Sequence, residues 1–259
     1  MLNIHGWQKE SLIEWPGKVV SVIWLSGCNF SCPWCANQDL VKHQENLPFY
    51  RENEVLNYLK TNHFLEGLVI TGGEPLINQR LKIKNQKRES KAKSQNDESK
   101  NELVRFIKKV KKLGLLVGIE TNGSNPEAIE KLNRKKLVDF WAMDIKAPLD
   151  PRKYQKLTGE GKVNIDKIKK SIKLILNFRG EAEFRTTIIP KYLEKKDILE
   201  IVKTLQNLSD SQIIEKPYVL QQFKPELAKG NWLKPYSPEE IKIIAKLCQK
   251  YIKNIKLRL

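Results

Sequence analysis

The sequence predicts an α/β fold built on a largely parallel sheet that stops short of closing into a complete barrel. Two observations predict it. Apolar, β-rich runs alternate with amphipathic helical patterns about six times along the 259 residues, the order expected of βα units joined by right-handed crossovers. Nearly every polar signature outside that alternation falls at the C-terminal end of an apolar run, where the βα loops of parallel folds converge to build sites. Six units are fewer than the eight of a closed barrel, so the expectation is an open, partial barrel, with a doubly wound sheet as the alternative. No internal repeat and no Pro/Gly linker interrupts the pattern, and residues 1–259 read as one domain.

The strand candidates are "VVSVIWL" (19–25), "LVIT" (68–71), "LLVGIET" (115–121), "VDFWAMDI" (138–145), "EFRTTIIP" (183–190) and "YVLQQF" (218–223). Each is short, apolar and rich in β-branched or aromatic residues, as buried parallel strands are. Helical periodicity appears between them in "YRENEVLNYLKTN", "NELVRFIKKVKKLG", "NPEAIEKLNRKK", "NIDKIKKSIKLILNF" and "KKDILEIVKTLQNL". A last helix is predicted over "SPEEIKIIAKLCQKYIKNI" (237–255), with Ser237 as N-cap and Pro238 in the first turn.

Lys and Arg number 47 against 30 Asp and Glu, a formal charge of +17 that favours acidic partners. From Gln79 to Asn101 the chain reads "QRLKIKNQKRESKAKSQNDESKN", with eight basic and three acidic residues and no apolar periodicity. That stretch, about 79–101, reads as a solvated, mobile insertion. Elsewhere the lysines interleave with core-facing stripes and lack aromatic neighbours, the pattern of solvated helix faces and not of a nucleic-acid site. The opening residues lack a basic-then-apolar leader pattern and no run reaches the length of a membrane span, so a cytoplasmic, non-membrane protein is expected.

Three of the four cysteines, Cys28, Cys32 and Cys35, stand within "SGCNFSCPWCANQ". Disulfides among them would close very small loops, and Cys248 lies far away in sequence. Three thiolates on one loop suit three irons of a [4Fe-4S] cluster, leaving the fourth iron free to bind a substrate or cofactor, whereas structural zinc wants four ligands. A zinc knuckle completed by His43 or Cys248, or a redox thiol pair, is the competing reading. Cys248, beside Ile244 and Leu247 on a helical face, reads as a buried small hydrophobe. The other polar signatures are "GGEP" (72–75), "ETNG" (120–123), "DIK" (144–146), Arg185 and "QQFKP" (221–225).

The spacing C-x3-C-x2-C, with Trp34 just before the last cysteine, together with "GGEP", resembles the radical S-adenosylmethionine (SAM) enzymes. "SLIEWPGKVVSVIWLSGCNFSCPWCANQ" is further similar to the activating enzymes of glycyl radical enzymes, above all those of anaerobic ribonucleoside-triphosphate reductase. The likeness covers the chain except the 79–101 insertion. It implies a radical SAM type of open (β/α)6 barrel and an enzyme that reductively cleaves SAM at a [4Fe-4S] cluster. The resulting 5′-deoxyadenosyl radical would generate a glycyl radical on a partner, with flavodoxin or ferredoxin as electron donor. A small-molecule target, as in the 7-carboxy-7-deazaguanine synthases, or RNA is the alternative.

By the same resemblance, Cys28, Cys32 and Cys35 ligate the cluster, and Gly72, Gly73, Glu74 and Pro75 meet the methionine amine. Trp34 approaches the adenine, and Asn37, which keeps the family residue, is also a cofactor contact. Thr121, Asn122, Asp144, Lys146 and Arg185 contact the cofactor, with Lys146 against its carboxylate. Glu120 and Asp144 become ligands of a monovalent cation, and Glu14 faces the substrate. Blander readings stand beside these: an Asp144–Lys146 ion pair, an Arg185 salt bridge, a Glu14–Lys18 pair, and Trp34 as core. The chain departs from the family at Ala36, where several activating enzymes carry His, at Glu14 and Glu120, where Asp is usual, and in Gln221 and Gln222, where one relative uses a histidine.

Overall fold

The computed structural model describes residues 1–77, 101–159, 161, 163–209, 214–228 and 234–259. Apart from Asn101, the expected insertion lies outside the described residues. The strands are β1 (Ile4–Ser11), β2 (Val20–Leu25), β3 (Gly67–Gly72), β4 (Leu116–Thr121), β5 (Phe140–Asp144), β6 (Glu181–Ile188), β7 (Tyr218–Gln222) and β8 (Ile255–Arg258). The helices are α1 (Gln38–Lys42), α2 (Glu52–Thr61), α3 (Glu102–Lys112), α4 (Pro126–Arg134), α5 (Pro151–Thr158), α6 (Ile165–Leu176), α7 (Lys195–Leu208) and α8 (Pro238–Cys248).

All eight strands form one sheet in sequential order, β1 to β8, with β1 antiparallel and every later pairing parallel. The sequential order removes the doubly wound alternative, which needs a reversal of strand order. Because β1 and β8 do not pair, the sheet curls without closing, as the shortage of βα units required. The six strands predicted from sequence are β2 to β7. Both edge strands were missed, β1 for its polar second half and β8 because the last helix, predicted over 237–255, ends at Cys248, after which the chain turns and runs extended as "IKLR".

Helix starts follow the local chemistry. Asn101, Asn125, Asp150, Asn164 and Ser237 each accept a hydrogen bond from a first-turn backbone N–H, and Pro126, Pro151 and Pro238 occupy first-turn positions where no donor is needed. The apolar faces of α2 to α8 pack on the outside of the sheet in a continuous core that includes Ile70, Phe106, Ile119, Trp141, Phe184 and Cys248. A second, smaller core fills the inner face: Trp15, Val20, Val22, Val69, Phe140 and Ala142. Trp15 comes from the connection between β1 and β2; it is 1% exposed and stacks on Phe140 with ring centroids 4.9 Å apart. It plugs the interior from the N-terminal side of the parallel strands. Among the described residues no helix is long and apolar enough to cross a membrane.

Candidate functional site

At the opposite, C-terminal end of the strands a cavity of ≈ 320 Å³ opens into the sheet's interior. Cys28, Cys32 and Cys35 line it together, on the irregular loop that follows β2. The loop has little regular structure of its own and is held by its neighbours. Ser31 N donates to Thr158 O at 2.8 Å, Trp34 Nε1 to Leu157 O at 2.9 Å, and Gly27 N to Leu40 O at 2.9 Å. Phe30 N and Asn37 N donate to the sulfurs of Cys28 and Cys35, each at 3.3 Å. Burial pushes the Cys28 thiol up to about 12 and that of Cys32 up to about 11. His43 sits at the end of α1 with an exposed side chain near Glu45, and Cys248 is buried in α8; neither lines the cavity.

Gly72 and Gly73 form the second wall. The Gly72 backbone has φ +123°, and a Cβ there would stand 2.2 Å from the Leu25 carbonyl oxygen. One at Gly73 would stand 2.0 Å from that of Gly27. Glycine is therefore required at both positions, and the contact seats the "GGEP" turn directly on the entry to the cysteine loop. Gly73 N donates to Leu25 O at 2.8 Å and Glu74 N to Gly27 O at 2.9 Å.

Glu74 and Pro75 are buried behind this wall and do not line the cavity. The Glu74 carboxylate is 1% exposed and is already engaged by the chain itself: Oε1 accepts from Thr121 Oγ1 at 2.8 Å and Leu76 N at 3.0 Å, and Oε2 from Asn122 N at 2.6 Å. In place of the expected contact to an amine, the structure shows a strut between the turn after β3 and the end of β4. Burial raises this carboxyl to about 7 against the three hydrogen bonds that favour its charged form.

The ends of β4, β5 and β6 supply the remaining walls, with Glu120, Thr121, Asn122, Asp144, Lys146 and Arg185 all facing the cavity. Lys146 Nζ donates to Asp144 Oδ2 at 2.6 Å and lies 5.0 Å from the centroid of the Trp34 ring. Burial works against the lysine's charge, yet Asp144 holds its pKa above the ordinary lysine range. The ion pair anticipated as a surface feature is thus real but recessed. Trp34 is both core and wall: only 8% exposed, its ring still borders the cavity. Asn37, at the start of α1, borders it as well.

Glu120 accepts from Thr71 Oγ1 at 2.8 Å and from Arg185. With Arg185 on Glu120 and Lys146 on Asp144, the two carboxylates expected to share a cation each already have a protein cation. Among the described residues no three His, Cys, Asp or Glu side chains cluster as a single-ion site. Glu14 does not line the cavity. Its carboxylate accepts from Ser11 Oγ, while its backbone carbonyl accepts from Arg185 NH2 at 3.0 Å. Lys18, the partner considered for it, reaches Glu66 at 3.4 Å instead.

Sequence reasoning passed over Thr71 and Thr187, which also line the cavity, and Gln221 of the "QQFKP" signature joins them there. Alternation in a strand could have found one of them, since Thr187 lies two residues beyond Arg185 and shares its face. Asn29 was missed too; its side-chain oxygen accepts from Asn122 Nδ2 at 3.0 Å and its Nδ2 donates to Ser124 at 2.9 Å. No local signal marks that contact, which joins loops 93 residues apart.

The sequence pattern of the radical SAM superfamily matches residues 22–207 of this chain. A Methanocaldococcus jannaschii protein named as a glycyl-radical enzyme activating enzyme is 31% identical over 253 residues, spanning 96% of this chain and 92% of that one. Among solved structures, SuiB of Streptococcus suis bound to its precursor peptide SuiA superposes with a TM-score of 0.63 at 14% identity, over 93% of this chain and 48% of that one. QueE from Escherichia coli gives 0.53 at 15% identity, over 99% of this chain and 92% of that one. SuiB has also been solved bound to S-adenosylmethionine, with a TM-score of 0.60 at 14% identity. The present chain spans about half the length of the SuiB chains. These structures share its fold.

Proposed function

This chain belongs to the radical SAM superfamily, and we propose that within it the chain generates a glycyl radical on a partner enzyme, with anaerobic ribonucleoside-triphosphate reductase as the partner its motifs favour. The observation that supports this most is the 31% identity spread over 96% of the chain to a protein named as an activating enzyme of that kind.

The superfamily uses a [4Fe-4S] cluster and SAM. The residues present fit both. Three thiols share one cavity with no fourth Cys and no His in its lining, and among the described residues no compact single-ion site competes for them. The glycine turn packs against the entry to the cysteine loop as closely as only glycine allows, and Ser26 Oγ, buried on the approach to Cys28, has no hydrogen-bond partner. When bound, these groups supply a 5′-deoxyadenosyl radical, formed by cleavage of the sulfur to C5′ bond with one electron from a flavodoxin or ferredoxin.

In this reading Cys28, Cys32 and Cys35 hold the cluster. Gly72 and Gly73 present bare backbone to the methionine end of SAM, and Lys146 faces its carboxylate from a position fixed by Asp144 and Trp34. Asn37, Thr121, Asn122 and Arg185 complete the lining. Glu74 and Pro75 act from behind, setting the spacing between the glycine turn and β4. Phe30, Trp34 and Val41 supply an apolar part of the wall. The gap between β1 and β8 leaves a side of the sheet through which an extended glycine loop can reach the interior.

Anaerobic incubation of the reconstituted, reduced protein with SAM and the reductase tests the proposal. A protein-radical doublet in electron paramagnetic resonance, appearing on the partner, supports it. No doublet, alongside faster 5′-deoxyadenosine release with a small molecule of the kind 7-carboxy-7-deazaguanine synthases take or with RNA, replaces the proposed target.

A further inference from the structure

Arg185 is fixed by groups that converge on it from both free edges of the open sheet. Its NH1 donates to Glu120, its NH2 to the Glu14 carbonyl at 3.0 Å, and its Nε to Glu183. Glu14 belongs to the connection leaving edge strand β1. Glu183 in turn accepts from Arg258 NH2 at 2.9 Å, and Arg258 is carried by the other edge strand, β8. β1 and β8 share no ladder hydrogen bond, so this chain of contacts joins the two edges through the interior.

The cluster also marks a boundary. Arg185 lines the cavity that holds the cysteines, whereas Glu183, two residues earlier on the same face of β6, lines a separate cavity of ≈ 1240 Å³ at the N-terminal end of the strands. Both side chains are buried, at 4% and 2% exposure. Taking such charges out of water is costly unless every member finds partners. The four charges, Glu120 and Glu183 against Arg185 and Arg258, sum to zero. Without Arg258 the group carries a net negative charge. Without Glu183 two guanidinium groups would face each other, each with one anion or none. Burial and the proximity of Arg185 both lower the pKa of Arg258, and Glu183, with Glu120 and Glu14, opposes them.

Three of the five guanidinium N–H groups of Arg185 are engaged by these contacts, one of them to Glu120 in the cavity wall, leaving two for whatever occupies the cavity. A guanidinium held on three sides presents those donors in one orientation, which lowers the ordering cost of binding an acceptor.

We propose that Glu183 and Arg258 are positioning residues that hold Arg185 in the orientation in which it contacts SAM, so that the last strand, outside the matched 22–207 segment, helps to build the cofactor site. The inference rests on the cavity assignment made above and is independent of the partner's identity.

The test is SAM affinity of the anaerobically reconstituted protein, measured by titration calorimetry together with iron content and melting temperature. Arg258→Ala and Glu183→Gln should each weaken SAM binding about tenfold while keeping full cluster content, as loss of a charge-assisted hydrogen bond to a ligand-holding group does. Arg258→Lys should recover part of the loss. Lys256→Ala, which removes an exposed cation from the same strand, should bind as the unaltered protein does. The decisive comparison is the double variant: in an Arg185→Ala background, adding Arg258→Ala should change affinity by less than about twofold. An equal loss in both backgrounds, or unchanged affinity in Arg258→Ala and Arg258→Lys, overturns the inference. Absence of SAM binding by the unaltered protein overturns the cavity assignment and this inference with it.

Discussion

The Glu74 carboxylate accepts the Asn122 backbone N–H at 2.6 Å, tying the turn after β3 to the end of β4 across 48 residues of sequence. Burial gives this group a pKa of about 7 in the fold, against 4.5 for an unperturbed Glu. The folded protein therefore holds a proton there that the unfolded chain gives up. The stabilisation is complete below pH 4.5 and is lost as pH rises through 7. Relative to Glu74→Gln, the cluster-free protein should lose about 3 kcal/mol of unfolding free energy between pH 4 and pH 8. Parallel pH profiles of the two proteins in denaturant titrations would show that Glu74 does not titrate in this range.

The thiol inventory makes a sharper prediction. Cys28→Ala, Cys32→Ala and Cys35→Ala should each abolish the iron and labile sulfide of the reconstituted protein, while Cys248→Ala retains both. Cys248 is fully buried in α8 and its truncation should cost only about 1 kcal/mol of stability. Loss of the cluster in Cys248→Ala, or stoichiometric zinc in place of iron after anaerobic purification from iron-replete cells, would refute the assignment.

At Gly73 an added methyl group meets the Gly27 carbonyl oxygen at 2.0 Å and its carbon at 2.6 Å, backbone atoms that cannot yield as the end of a flexible side chain would. Gly73→Ala should destabilise the fold by about 2 kcal/mol or more and reduce cluster retention, because the strain falls on the entry to the cysteine loop. Gly17, at φ +85° with nothing within 4 Å of an added Cβ, supplies the contrast. Gly17→Ala should cost about 1 kcal/mol from backbone conformation alone and leave the cluster intact. Equal effects at the two positions would show that the glycine turn is not the constraint.

Lys146 is recessed between Asp144 and Trp34. Lys146→Met keeps the aliphatic packing and removes the charge, so SAM affinity should fall at least about tenfold with little change in melting temperature. A folded Lys146→Met variant with unaltered affinity removes the residue from the cofactor site.

Glu14→Ala should preserve both the cluster and uncoupled SAM cleavage, because the contact to Arg185 is made by the Glu14 backbone carbonyl, which survives the substitution. Selective loss of radical formation on the partner would assign its carboxylate to the substrate path. Loss of SAM cleavage as well would show that the Ser11–Glu14 turn supports the cofactor cavity.

What could be read from the sequence was local. The six buried strands announced themselves by apolar runs, α2 to α4 and α6 to α8 by their period, the last also by its Ser237 start, and the cysteine loop by a spacing that is itself the ligand set; α1 and α5 are too short to show a period and were missed. The position of the polar signatures at strand ends followed from the same alternation, because parallel strands place their C-terminal loops on one side. The tertiary structure decided everything that depends on which charge meets which. Glu74 looked like a ligand and is a buried strut; Glu120 and Asp144 looked like cation ligands and are paired with Arg185 and Lys146. Arg258 carries no local signal at all, since four residues of edge strand acquire meaning only when the sheet curls and brings them within 2.9 Å of Glu183. Hydrophobic periodicity records which face of an element is buried, whereas the partner of a buried charge is set by contacts between residues far apart in the chain.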